Sequence, residues 1–409
     1  MTMHASLDAY EPIVGRQVVD ELRYLAERVR GRRVQHINST AAGGGVAEIL
    51  HRLVPLLQEL GLPTRWDVIK GNDAFFQVTK KMHNALHGQG GDLTWQEART
   101  YLETTADNLK HMPLDGEVFF IHDPQPAGLV QARLRVGGRW IWRCHIDVSA
   151  PNLGVWRLVE RFVTRYDGAI FSAPQFAQRL PVRQFLIAPS IDPLSDKNRD
   201  LSEETIQEVL HRLNIPRDKP LVTQVSRFDR LKDPVGVIEA FRLVRKSVHC
   251  RLILVGGVAT DDAEGAQVLA EVRERAHGDP DILILELPPT SHVEINAIQR
   301  ASTVIVQKSI REGFGLTVSE ALWKAKPVVA SAVGGIPLQI AHKYSGLLCR
   351  SIEGAAFAIK QCLNSPSFAR RLGQNGREHA RQNFLLTRHV KEYLLVIIAA
   401  DHQEDVIRL

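Results

Sequence analysis

The feature that most constrains this chain is a long alternation, in which short apolar runs and longer helix-period segments follow one another from about residue 32 to about residue 350. A run of four to six apolar residues between turn residues reads as a strand buried on both faces, and the helical stretch after it supplies the cover. Strands are expected at Arg33–Asn38, Arg65–Ile69, Val118–His122, Trp140–His145, Ala169–Ser172 and Phe185–Ala188. The series then restarts, with strands at Leu221–Ser226, Arg251–Val255, Ile282–Leu285, Thr303–Gln307 and Pro327–Ala330. Between the two series, Ala188-Pro189-Ser190-Ile191-Asp192-Pro193-Leu194 carries two prolines, which end regular structure. The fold class expected is α/β, with two doubly wound Rossmann-like domains, residues 1–190 and 191–389. Each presents strand C-termini and helix N-termini to a shared cleft. The apolar helix Val390–Ala400 lies beyond the second series, so the 390–409 region is expected to pack back on the first domain.

A chain of 409 residues exceeds one compact core, in keeping with two domains. Lys plus Arg exceed Asp plus Glu by 51 − 46 = 5, and this mild excess is spread along the chain. No basic stripe with interleaved aromatics marks a nucleic-acid binder. The four cysteines, Cys144, Cys250, Cys349 and Cys362, have no Cys-x-x-Cys spacing and point to neither a disulfide framework nor a zinc site. No window approaches 18 consecutive apolar residues, and the N-terminus has no signal-peptide core, so a cytoplasmic protein without membrane contact is expected.

Chemistry-bearing residues gather at the expected strand ends. In Ser309-Ile310-Arg311-Glu312-Gly313-Phe314-Gly315-Leu316-Thr317-Val318-Ser319-Glu320, two glutamates bracket a Gly-Phe-Gly turn that opens a helix reaching Lys324. The glycines let the first helical amides approach a diphosphate or sugar closely. After the first strand of the second series, Arg227 and Lys232 share one loop and can converge on a diphosphate, Arg as a planar fork and Lys as a point charge. Gly43, Gly44 and Gly45 join the first strand to a helix marked by Val46, Ile49, Leu50, Leu53, Val54, Leu57 and Leu60 and ended by Gly61. This is no G-x-G-x-x-G, so no nicotinamide cofactor is indicated. His145 and Asp147 follow the Trp140–His145 strand, and Asp123 stands where Pro124 ends the Val118–His122 strand. Gly334 and Gly335 follow the Pro327–Ala330 strand and can frame a nucleotide. The Asp279-Pro280-Asp281 triplet precedes a strand instead of following one, which makes it a turn and not a metal-binding D-x-D. Taken singly, each of these features has a structural alternative: a tight turn, a solvated basic loop or a core histidine.

Together the motifs resemble the retaining glycosyltransferases of family 4, with their GT-B fold of two facing Rossmann-like domains. More narrowly, they are similar to the trehalose glycosyltransferring synthases and the related trehalose phosphorylases. The blocks that carry this are His36-Ile37-Asn38-Ser39-Thr40 running into Gly43–His51, His122–Pro126, Trp142–Asp147, Pro189–Ser195 and Ser309–Leu316, and the likeness covers roughly residues 33 to 390. The resemblance implies that Glu312 holds the donor sugar hydroxyls and Glu320 the ribose, with Gly313, Phe314, Gly315 and Leu316 forming the loop between. Arg227 and Lys232 would hold the diphosphate, His145 would contact the donor sugar near its 6-hydroxyl, and Gly43–Gly45 would lie against the diphosphate and acceptor pocket. Asp123 would contact the acceptor glucose, and Asp147 would be substrate-binding. Asp233-Pro234 departs from the family pattern, which has glycine after the diphosphate lysine, and threatens to reshape the loop or repel the donor. The Asp-Gly turn expected after Gly335 is also replaced, by Ala341–Gly346.

The implied reaction moves α-glucose from ADP-, UDP- or GDP-glucose onto free glucose, giving α,α-trehalose with retention. No cofactor is tightly bound, and magnesium would stimulate at most. Phosphorolysis of trehalose, transfer to another hexose and a non-catalytic sugar-nucleotide sensor are the alternatives. The partners implied are nucleotide sugar, glucose and trehalose, with a homodimer left open.

Overall fold

The computed structural model describes residues 6–41, 45–257 and 263–402. The chain divides into two compact units, one of Met1–Pro189 with Leu386–Leu409 and one of Ser190–Leu385. Each unit is built on a six-stranded sheet in which every pairing is parallel.

The first sheet contains β1 (Val34–Asn38), β2 (Thr64–Val68), β3 (Val118–His122), β4 (Arg139–Cys144), β5 (Gly168–Phe171) and β6 (Arg183–Leu186), in the order β2-β1-β3-β4-β5-β6. β1 and β3 are buried along their whole length, as helix cover on both faces requires. The strand order reverses between β1 and β3, so the ends of these neighbours form the unit's topological switch point, where open α/β sheets bind ligands. One face is covered by the helix Leu386–Asp401, whose Tyr393 ring packs on Phe120 at 4.8 Å and on His36 at 5.9 Å.

The second sheet contains β7 (Leu221–Val225), β8 (Arg251–Gly256), β9 (Ile282–Glu286), β10 (Val304–Gln307), β11 (Val328–Ser331) and β12 (Leu347–Cys349), in the order β12-β11-β10-β7-β8-β9. Its switch point falls between β7 and β10. One core cluster packs Phe241, Leu252, Leu254 and Ile359 on one side of this sheet, and another packs Leu210, Ile253, Val255 and Ile298 on the other. β12 is too short to stand out in the sequence. The Pro189 region is no free tether, because Ile191 bridges to Leu385 and its amide donates to the Phe384 carbonyl at 2.9 Å.

Candidate active site

In the second unit the switch point brings the ends of β7 and β10 together. Beyond β7, Asp229 accepts from the Leu231 amide at 2.7 Å and starts a short 3-10 turn, Arg230–Lys232. Beyond β10, the Ile310 amide donates to the Leu231 carbonyl at 2.7 Å, so the two loops are stitched by backbone. That stitch sets Lys232 Nζ 2.7 Å from Glu312 Oε2, with both side chains largely buried. Ser309 Oγ donates to the same oxygen at 3.1 Å. Arg227 is exposed and pairs with Asp229 at 2.9 Å, which leaves the outer part of its guanidinium toward solvent. The structure therefore joins Lys232 to Glu312, a pairing the sequence alone did not suggest, and sets Arg227 on the rim.

The glycines around Glu312 have separate duties. Gly315 adopts φ 82°, the left-handed conformation that lets the chain turn into the helix Leu316–Trp323. Gly334 has φ 51°, and a Cβ there would fall 1.6 Å from the Glu312 carbonyl oxygen. The Gly335 amide donates to the Gly313 carbonyl at 3.0 Å, so this glycine pair serves close passage of the Glu312 loop. The Phe314 side chain is buried edge-on against Phe384 at 5.6 Å, and Gln339 donates to its carbonyl, so Phe314 anchors the loop from below. Leu316 is half-buried at the helix start.

Glu320 lies inside that helix with 2% of its side chain exposed, 3.2 Å from Lys197 Nζ through Oε1. Its Oε2 accepts no hydrogen bond among the described residues, leaving a buried carboxylate oxygen able to take a donor. One turn on, buried Lys324 donates to Asn198 Oδ1 at 3.0 Å and to the Glu320 carbonyl at 3.3 Å, and burial drives its pKa down to about 7.

Asp233 neither unravels the loop nor stands as a bare charge. It adopts φ 48°, caps the helix Pro234–Arg245 by accepting from the Gly236 amide at 3.1 Å, and ion-pairs with Lys308. The repulsion expected of this carboxylate is thus offset by a cation at the end of β10. Asp279 and Asp281 form a turn ahead of β9 and pair with Arg245, Lys219 and Arg251. Among the described residues no group of three or more His, Cys, Asp or Glu side chains is placed to hold a metal ion.

In the first unit, side chains two apart along a strand share a face, which puts His36 of β1, His122 of β3 and His145 beyond β4 on one side. Their rings form a chain. His36 Nδ1 lies 3.0 Å from His122 Nε2, and His122 Nδ1 lies 3.0 Å from His145 Nε2. Burial holds all three pKa values far below the ordinary imidazole range, that of His36 at about 3, with Arg143 adding to the depression at His122 and His145. The rings are therefore neutral near pH 7.

Asp123 has φ 67°, its amide donates to the Arg143 carbonyl at 2.7 Å, and its Oδ1 accepts from the His145 amide at 2.7 Å. Burial pushes its carboxyl up to about 7. This residue fixes the turn that carries His145, and one of its oxygens is committed there. Asp147 Oδ1 is likewise taken by its own loop, accepting from the Ser149 amide at 3.0 Å and hydroxyl at 2.6 Å. Gly45 opens the helix Gly45–Glu59, whereas Gly43 and Gly44 lie outside the described residues. The approach to that loop is set by Asn38, which donates to the Thr40 carbonyl at 2.7 Å and accepts from Trp66 Nε1 at 2.9 Å.

Residues 36–178 match the family described as trehalose synthase, N-terminal domain, and residues 205–379 match the glycosyl transferases group 1. A trehalose synthase of Rubrobacter xylanophilus is 44% identical over 401 residues, covering 96% of each chain. The chain belongs to the trehalose synthase family. It is a glycosyltransferase of GT-B fold. An α,α-trehalose-phosphate synthase (UDP-forming) from Burkholderia vietnamiensis matches with a TM-score of 0.74 over 90% of this chain and 99% of that one, and at 15% identity this likeness is one of fold alone. A trehalose phosphorylase of Pleurotus pulmonarius is 29% identical, over 86% of this chain but 55% of its own length. For this member of the trehalose synthase family, sequence reasoning had assigned no part to His36, His122, Lys197, Lys308 or Lys324. His36 and His122 stood in the quoted blocks, and two-residue alternation on adjacent strands was the signal that they share a face with His145.

Proposed function

We propose that this protein transfers glucose from a nucleoside diphosphate glucose to free glucose, forming α,α-trehalose with retained configuration. The observation that carries the reading is the Lys232–Glu312 pair, a cation and a carboxylate held 2.7 Å apart at a switch point, in a chain 44% identical to a trehalose synthase. In this reading Arg227 and Lys232 bind the diphosphate and stabilise the negative charge that builds on the leaving oxygen. Glu312 takes donor sugar hydroxyls, Glu320 takes the ribose through its unshared oxygen, and His145 contacts the transferred glucose. Neither glutamate is a nucleophile. The incoming hydroxyl attacks from the face the diphosphate leaves, and the departing phosphate oxygen accepts its proton. Catalysis then rests on positioning and charge stabilisation.

The deciding experiment incubates the protein with glucose and each of ADP-, UDP- and GDP-glucose and measures trehalose, with and without magnesium. Formation from at least one donor is expected, and failure with all three would overturn the reading. Trehalose with inorganic phosphate is the parallel arm. Glucose 1-phosphate from that arm alone would make the protein a phosphorylase.

A further inference from the structure

We propose that His36 and His122 are positioning residues that lock His145 into the tautomer with its proton on Nδ1, so that His145 offers a hydrogen-bond donor to the transferred glucose. The last clause rests on the function proposed above. The first rests on counting protons along the ring chain.

Each neutral imidazole carries one N–H and one bare nitrogen. Each 3.0 Å contact in the chain needs one of each, since two bare nitrogens repel and two N–H groups clash. Only two arrangements satisfy both contacts. Either all three rings are protonated on Nδ1, or all three are protonated on Nε2. The inner end of the chain selects between them. His36 is fully buried, its ring stacks on Phe120 at 5.0 Å and leans on Tyr393, and its Nε2 has no partner among the described residues. In the second arrangement that nitrogen would be an orphaned buried N–H, the rarer and costlier defect in folded proteins. In the first it is a bare acceptor.

The unpartnered Nε2 of buried His36 therefore polarises the chain outward. His36 Nδ1–H donates to His122 Nε2, His122 Nδ1–H donates to His145 Nε2, and His145 keeps its proton on Nδ1. Among the described residues no group bonds that nitrogen. The His145 backbone is pinned as well, by its amide donating to Asp123 Oδ1 at 2.7 Å, so the ring's direction and its proton are set by separate groups. A ring so held presents a donor to a sugar oxygen and cannot accept from a sugar hydroxyl at Nε2.

The test is a long-range proton–nitrogen correlation spectrum of the full chain labelled with 15N-histidine, with His145 assigned by its loss in His145→Asn. The expected result is a single tautomer for His145 with the proton on Nδ1. In His122→Phe, which keeps a ring in the stack but removes both contacts, the His145 nitrogens should move to the averaged values of mixed tautomers. The kcat for glucosyl transfer should then fall about tenfold or more, as loss of one aligned donor to the transferred sugar costs in the transition state. A proton on Nε2 or shared in the wild-type protein would overturn the proposal, as would an unchanged His145 tautomer in His122→Phe. Should that variant fail to fold, the wild-type spectrum still decides, and His36→Phe gives a second break. If the tautomer is as stated but no nucleoside diphosphate glucose yields trehalose, the relay stands and the proposed function falls.

Discussion

Replacing Lys232 by methionine separates what this lysine does for the fold from what it does for the reaction. Methionine keeps most of the length and apolar contact but removes the cation from Glu312. Of the two side chains, 17% of Lys232 and 10% of Glu312 is exposed, so the pair is closer to a buried ion pair than to a surface one. Breaking a fully buried pair from one side costs about 3–5 kcal/mol. Here Ser309 still donates to Glu312 Oε2 and some water reaches the pair, so about 2 kcal/mol is expected. For a unit of this size that corresponds to a thermal midpoint lower by about 4–8 °C. Loss of a preorganised charge facing the leaving group costs about 2.7–4 kcal/mol in the transition state, a fall in kcat of about 10²–10³. The double variant Lys232→Met/Glu312→Gln removes the stranded carboxylate and should regain most of the lost midpoint while staying at least as inactive. The assays are thermal unfolding and initial rates of trehalose formation at saturating donor. A single variant with kcat within about threefold of wild type would refute the diphosphate role.

Three further outcomes follow from the same geometry. Asp233→Gly relieves a left-handed backbone but gives up a helix cap and strands the largely buried Lys308, so it should lose about 1 kcal/mol, whereas Asp233→Ala has the same losses and keeps the strain and should lose about 3 kcal/mol in denaturant titration. Because Lys308 neutralises Asp233, the donor KM of Asp233→Gly should stay within about threefold of wild type. Gly334→Ala places a Cβ 1.6 Å from the Glu312 carbonyl oxygen and should cut transfer by about 10² or more, while Gly91→Ala, with nothing within 4 Å, should leave rates unchanged. Lys324 has its folded pKa lowered by burial to about 7 from 10.5, so between these values the unfolded chain binds more protons and this group makes stability rise with pH. The stability deficit of wild type against Lys324→Met should therefore be largest near and below pH 7 and shrink toward pH 10, as read by chemical denaturation across that range.

Of the twelve strands among the described residues eleven were legible, the inner ones because parallel strands covered on both faces become continuous apolar runs, and the more exposed edge strands β2, β6 and β9 because turn residues and helical segments frame them. β12 was missed because Leu347–Cys349 has only three residues and no alternation to read. Glu312, Gly315 and Leu316 could be placed on their loop and helix from spacing alone. What spacing could not give was contact across the sheet. Lys232 and Glu312 are 80 residues apart, and their pairing depends on β7 lying next to β10, an order set by packing and not written in either motif. The same holds for His36 and His122, 86 residues apart on adjacent strands. Spacing also could not show that the Phe314 ring packs against Phe384 or that Asp147 Oδ1 accepts from Ser149 within its own turn.

The departure at Asp233 shows how a local rule can be broken while the loop stays ordered by a cap and an ion pair. Glycine after Lys232 would reach the left-handed conformation freely, whereas aspartate reaches it at a cost of about 1–2 kcal/mol. The structure supplies two returns on that strain, a cap for the helix Pro234–Arg245 and an ion pair with Lys308. The two lysines of the adjoining loops are then matched by carboxylates, Lys232 by Glu312 and Lys308 by Asp233. In the proposed function a diphosphate beside Lys232 would compete with Glu312 for the ammonium group, whereas Asp233, paired with Lys308, would contribute little net repulsion. Removing Lys308 should expose that repulsion. Lys308→Met is expected to raise the donor KM more than Asp233→Gly does, and Lys308→Met/Asp233→Gly should bring it back toward wild type, because the carboxylate that needed neutralising is gone.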